Sequence, residues 1–250
     1  MTDTNTNQTW IILGASSTIA KAFTRSVAEK GAHVILAGRR MDDLKATADD
    51  AKARGASDAT TVIFDARVPD TFQAIIDLAN TQAGTLNCAV FVGSMPAQDA
   101  IDADPTLVDG TIADSFTGPA RFLQMLAPSL IERGQGSIVG VGSVAGDRGR
   151  VGNYVYGAAK AGFATYLSGL RNALGRHGVH VLTVKPGPVD TAMTQGLGKQ
   201  PFMTTADAVV QDIDKALQKK RNTLYTKWIW WPVMTIIKLI PEPIFKKMSI

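Results

Sequence analysis

The 250-residue sequence predicts a single α/β domain: a doubly wound parallel sheet of about seven strands with helices on both faces. Three observations carry that prediction. Short apolar runs alternate regularly with longer helical stretches along the whole chain. The first strand–turn–helix–strand unit takes about 30 residues, the minimum for a parallel crossover. No linker, repeat or low-complexity stretch interrupts the alternation, and 45% hydrophobic content is enough to bury a full core.

In order, Thr9–Leu13 is an apolar run bounded by Gly14, as a buried parallel strand requires. The polar turn Ala15-Ser16-Ser17-Thr18 leads into a helix that Gly31 stops, and His33–Ala37 is the second strand. A helix over Asp42–Arg54 precedes strand Thr61–Phe64, and one opening at Pro69 precedes strand Cys88–Val92. A long helix from about Leu107 to Arg133 precedes strand Gly136–Val141, and the helix holding Tyr156 leads to strand His180–Lys185. A late helix begins near Thr204, capped by its hydroxyl with Asp207 three residues on, and Asn222–Tyr225 is a last, edge-like strand. Residues 1–8 read as a flexible N-terminus, 9–226 as the folded domain and 227–250 as an apolar and basic C-terminal segment.

The bulk properties exclude several functions. Net charge is +4, but the basic residues are dispersed, so nucleic acid is not an expected partner. One cysteine, Cys88, excludes an internal disulfide framework and a Cys-based zinc site; it falls in an apolar run as a core residue, and no metal is expected. The polar N-terminus has no signal-peptide architecture, which predicts a cytoplasmic location.

Chemistry-bearing residues gather where strands end, which is where ligands bind in such sheets. Gly14 and the backbone N–H groups of Ser16, Ser17, Thr18 and Ile19 open the first helix, an arrangement suited to a pyrophosphate. The glycine pattern is incomplete, because Thr18 and Ala20 stand where closely spaced glycines would follow. After the second strand comes Gly38-Arg39-Arg40 instead of a carboxylate. Two guanidiniums there suit the 2′-phosphate of NADP(H) over NAD(H), although two charges also suit a plain solvated loop. Asp65 with Ala66, after the third strand, is placed to accept from an adenine amino group. Tyr156 and Lys160, four apart on one helix, share a face, and an ammonium beside a phenol lowers its pKa towards neutrality. Ser143 ends the fifth strand, where its hydroxyl can hold a carbonyl oxygen while the tyrosine delivers a proton. The Pro186-Gly187-Pro188 turn ends the sixth.

These residues resemble the short-chain dehydrogenase/reductase family over Thr9 to about Met193: Gly14-Ala15-Ser16-Ser17, Asp65, Ser143, Tyr156-x-x-x-Lys160 and Pro186-Gly187-x-Val189-x-Thr191. The resemblance implies a Rossmann-type fold and hydride transfer between a nicotinamide and a carbonyl or alcohol. It makes Tyr156 the general acid/base and Ser143 the holder of the substrate oxygen. Lys160 would tune the tyrosine and bond the nicotinamide ribose, and Val189 and Thr191 would position the carboxamide. It also implies subunits paired as a homodimer or homotetramer through the helices carrying Ser115 and Tyr156. Two departures stand out. The family's Asn-Asn-Ala-Gly reads Phe91-Val92-Gly93-Ser94, so its side-chain bracing of the sheet is lost while Gly93 stays with the cofactor, and the asparagine that often anchors a relay water is replaced by Ser115.

The tail Lys227–Ile250 is too short and interrupted to span a bilayer. Its tryptophans and lysines fit an interfacial membrane anchor through 228–250, and they equally fit an oligomer interface or a lid on the domain. With Tyr154 and the Gly149–Asn153 approach, it resembles the branch that reduces the 2-keto sugar of decaprenyl-phosphoryl pentose. That implies a hydrophobic or lipid-linked ketone. The alternatives are a soluble reductase of small ketones or 3-oxoacyl thioesters and, from another class, a non-catalytic dinucleotide-binding sensor.

Overall fold

The structure, a computed structural model, describes residues 7–195 and 200–248. Seven strands form one fully parallel sheet: β1 (Gln8–Leu13), β2 (His33–Gly38), β3 (Asp58–Ile63), β4 (Thr85–Val90), β5 (Gly136–Val141), β6 (Val179–Pro186) and β7 (Thr223–Thr226). Their spatial order is β3-β2-β1-β4-β5-β6-β7, so the winding reverses between β1 and β4.

The period-two alternation of the strands divides the core. Trp10 and Ile12 of β1 face the side covered by α1 (Thr18–Ala28), α2 (Met41–Ala53) and α8 (Ala206–Gln218). Ile11 and Leu13 face α3 (Gln73–Asn80), α6 (Gly118–Arg133) and α7 (Tyr154–Gly175). Phe23 and Ile213 fill the first side, Phe122 and Phe163 the second. Each such side chain contributes about 1.5–3 kcal/mol by leaving water, so both faces lock the strands and thereby their carboxyl ends. Cys88 is fully buried on β4, where burial pushes its thiol up and out of reactive range.

Several elements differ from the sequence reading. Gln8 already belongs to β1, whose approach is tied by Thr85 N–H to the Asn7 carbonyl (3.0 Å); residues 1–6 lie outside the described residues. β4 starts and ends earlier than Cys88–Val92, although the Phe91 N–H still reaches Leu13 O (2.9 Å). The long helix is three pieces: α5 (Leu107–Ile112), a π-helical turn (Ala113–Thr117) and α6, with a separate short α4 (Gln98–Ala103) ahead of them. The cap of α8 is Thr205, which accepts from Ala208 N–H (3.2 Å). Thr204 instead bridges to Val189 and ties the loop after β6. The tail forms α9 (Trp230–Leu239) and α10 (Glu242–Phe245). No helix among the described residues is long and apolar enough to cross a membrane.

Candidate active site

The ends of β1, β4, β5 and β6 open on one cavity of about 470 Å³. α7 brings Tyr156 and Lys160 into its wall, both almost fully buried. Opposite them β5 ends, and Ser143 caps the 3₁₀ turn Val144–Asp147, accepting from Ala145 N–H (3.1 Å). Two glycines let this turn lie against α7. A Cβ on Gly157 would stand 2.8 Å from Ala145 O, and one on Gly146 would stand 2.7 Å from Ala161 N. That close approach brings the Ser143 hydroxyl near enough to Tyr156 to act on its phenol.

The electrostatics differ from the expectation that Lys160 would lower the phenol pKa. Burial pushes Tyr156 up to about 12, with the nearby Ser143 hydroxyl pulling the other way. Burial also lowers Lys160 to about 8. The ammonium donates to Val92 O (3.2 Å) and Val141 O (3.0 Å), and lies 5.9 Å from the Tyr156 ring centre. In the chain alone desolvation therefore outweighs the lysine's charge at the tyrosine.

Gly93 is a cradle beside these groups: a Cβ there would stand 3.0 Å from Lys160 Nζ and 3.3 Å from Ser115 Oγ. Ser115 sits in the π-helical turn and is fully buried. Its hydroxyl both accepts from Ser94 N–H and donates to Ser94 O (3.2 Å each), so it anchors the segment that follows β4. Tyr154 is exposed and donates to the Asp102 carboxylate on α4.

At the other end of the cavity, Ser16, Ser17, Thr18 and Ile19 line the start of α1, whose first turn carries no acid. Gly14 has φ of +76°, and a Cβ there would meet the Phe91 carbonyl at 3.1 Å. Only glycine suits that turn, and the free N–H groups behind it suit a dinucleotide's phosphates. Pro186, Gly187, Val189 and Thr191 line the same cavity. Arg39, Arg40, Asp65 and Ala66 do not. Arg39 and Arg40 are exposed after β2, and Arg40 pairs with Asp43 within α2. One Asp65 oxygen accepts from Arg67 N–H (2.9 Å), and Ala66 is buried against Gly118.

The tail supplies a wall that the sequence reading left open. Trp230 lines the cavity and lies over Gly187, where an added Cβ would fall 2.0 Å from its indole Nε1. Trp230 and Met234 pack on Val144, directly after Ser143. Arg148 fastens this arrangement. Its guanidinium donates to Ile237 O and Ile240 O (2.6 Å each), capping α9, pairs with Glu242 (2.9 Å) and covers the Phe245 ring at 3.7 Å. Below it, the buried Asp147 accepts from Lys185 (2.5 Å) and Tyr225 (2.7 Å). The outward face of the tail leaves Trp228, Trp231, Ile236, Leu239 and Ile244 exposed.

Comparison with known proteins agrees with this geometry. The short chain dehydrogenase family matches residues 8–201. An uncharacterized oxidoreductase of Mycobacterium tuberculosis is 30% identical over 239 residues, covering 95% of this chain and 96% of its own. Sulfoacetaldehyde reductase 2 of Chromohalobacter salexigens is 36% identical over 191 residues, 74% of this chain and 73% of its own. In fold, the chain is similar to a short-chain dehydrogenase from Sphingobium yanoikuyae in complex with NADPH, with TM-score 0.81 at 21% identity over 94% of this chain and 97% of that one. The chain belongs to the short-chain dehydrogenase/reductase family and is an NAD(P)-dependent oxidoreductase.

Proposed function

We propose that this chain is an NADPH-dependent reductase of a ketone carried on a hydrophobic or lipid-linked molecule such as a 2-keto sugar. The observation that carries the reading is that Ser143, Tyr156 and Lys160 share a cavity that is also lined by Trp230, from a tail with an exposed tryptophan-rich face. When bound, the nicotinamide supplies a hydride to the carbonyl carbon. Tyr156 protonates the carbonyl oxygen, Ser143 holds that oxygen, and Lys160 provides positive charge as the phenolate forms. Ser115 acts one step back, holding Ser94 and with it Gly93, in place of anchoring a relay water.

The outward apolar side chains, with Lys227, Lys238, Lys246 and Lys247 near them, suit a peripheral contact with a membrane surface on the cytoplasmic side. Of the other exposed apolar residues, Met193 lines the cavity and Phe202 packs edge-on against Trp230. A soluble reductase of small carbonyls is the second reading, favoured by the relative named as a sulfoacetaldehyde reductase. Subunit pairing as a homodimer or homotetramer, through α6 and α7, belongs to the same proposal.

The test is NADPH oxidation across ketones of increasing chain length, with and without anionic vesicles. Each buried methylene is worth about 0.8 kcal/mol, or roughly fourfold, so kcat/KM is expected to climb with length and the protein to sediment with vesicles. A flat series with no vesicle binding overturns the lipid-linked reading and leaves the small-carbonyl one.

Cofactor choice rests on Gly38, Arg39 and Arg40. Arg39 makes no hydrogen bond or ion pair among the described residues, which leaves its guanidinium available for a 2′-phosphate, whereas Arg40 must first leave Asp43. Arg39→Asp is expected to shift the NADPH-over-NADH ratio of kcat/KM at least about tenfold towards NADH, the effect of one charge-assisted pair. Unchanged selectivity in steady-state assays would remove Arg39 from this role.

A further inference from the structure

The cavity contains a second cation that the proposed chemistry does not use. Arg150 lines it from the loop between Ser143 and Tyr156, half-buried, and its Nε is buried without a hydrogen-bond partner. The carboxylate that acts on it electrostatically, Asp147, is already engaged: one oxygen takes Lys185 and the other Tyr225. No Asp or Glu is among the described residues that line the cavity. Lys160, the other cation there, is held by two main-chain carbonyls. Burial of Arg150 lowers its pKa, and the engaged Asp147 carboxylate offsets this only in part.

An unpaired guanidinium persists in such a place at a cost to stability, and the natural recipient of its donors is an anion arriving in the cavity. The cofactor phosphates have their own site at the start of α1, lined by Ser16–Ile19. Arg150 instead belongs to the loop that delivers Ser143 and Tyr156, and Asn153 on the same loop also lines the cavity.

We propose that Arg150 is a specificity-determining residue that pairs with an anionic group, a phosphoryl, sulfonate or carboxylate, carried by the substrate close to its reacting carbonyl. This rests on the reductase reading above and narrows its substrate class to negatively charged carbonyl compounds. The shared chemistry covers two sources, a small charged carbonyl and a lipid phosphate.

The test compares charged and neutral partners of similar size, sulfoacetaldehyde with propanal and hydroxyacetone phosphate with hydroxyacetone, in NADPH-oxidation assays. Wild type is expected to favour the charged member of at least one pair by about tenfold or more in kcat/KM. In Arg150→Gln the charged-over-neutral ratio is expected to fall towards unity through a rise in KM for the charged substrate, and Arg150→Lys to recover part of it. Equal loss on both members, or a loss seen mainly in KM for NADPH, overturns the proposal.

A second measurement stands apart from turnover. Calorimetric binding of farnesyl phosphate and of inorganic phosphate to the NADPH-loaded protein is expected in wild type and at least tenfold weaker in Arg150→Gln. Preference for farnesyl phosphate identifies a lipid source, and equal binding identifies a small one. No anion binding in wild type, or equal binding in both proteins, overturns the proposal. Failure to oxidise NADPH with every carbonyl, while anion binding stays Arg150-dependent, removes the reductase reading and spares the anion site.

Discussion

Tyr156→Phe is expected to lower kcat/KM for carbonyl reduction by about 10²–10⁴-fold while leaving NADPH binding close to wild type. The substitution removes one oxygen. The ring keeps its place, because Tyr156 is buried in α7 and the glycines that admit it, Gly146 and Gly157, are untouched. Loss of turnover without loss of fold would therefore locate the proton donor in the phenol. Near-normal turnover, measured as NADPH oxidation with a good substrate, would refute the assignment. A pH profile adds a second check. Protonated Tyr156 is required for reduction, and its pKa near 12 keeps it protonated throughout the working range. Lys160 is charged only below about 8, because burial favours its neutral form. As pH rises through 8 the ammonium is lost, so kcat/KM for NADPH, which reports the free protein, is expected to fall tenfold per unit above that point. A profile level to pH 9.5 would show that the lysine's charge is not needed.

Arg148→Ala is expected to detach the tail. The guanidinium donates to the carbonyls that end α9, where the Ile240 N–H reaches Ile237 O only at 3.4 Å. Hydrogen bonds from a charged donor are worth about 1.5–3 kcal/mol, and stacking on Phe245 adds about 0.5–2 kcal/mol. The ion pair with the mostly exposed Glu242 adds little. The expected result is faster tryptic cleavage at Lys227 and Lys238 with the sheet intact, together with a raised KM for long-chain ketones as Trp230 leaves Gly187. Equal cleavage rates in mutant and wild type would show that α9 is held by its apolar contacts alone. A charge-keeping Arg148→Lys variant should fall between the two, since an ammonium cannot reach several carbonyls in one plane.

The sheet was legible because strands and helices each carry a period, and both cores follow from that alternation. Ser143, Tyr156 and Lys160 stood out because one follows the end of a strand and the other two lie four apart on one helix, and all three line one cavity. Three features were hidden for different reasons. The π-helical turn at Ala113–Thr117 adds a residue to a helix without altering its composition, so a continuous helix is the natural reading. The grip of Arg148 on the tail spans about ninety residues of sequence and leaves no local pattern. The electrostatic balance at Tyr156 depends on burial, which a Tyr-x-x-x-Lys spacing does not encode. Arg150 shows the same limit: its number is plain in the sequence, but its missing partner exists only in three dimensions.

Trp230 over Gly187 has an architectural meaning beyond its contacts. Ser143 follows β5, and Tyr156 and Lys160 sit on α7, while Trp230, which lines the same chamber, belongs to the segment after the last strand. Part of the chamber's shape is thus written in a stretch of chain apart from the sheet and α7. Exchanging α9 and α10 for another sequence would give the same proton-delivering scaffold a differently shaped room, with every strand left in register.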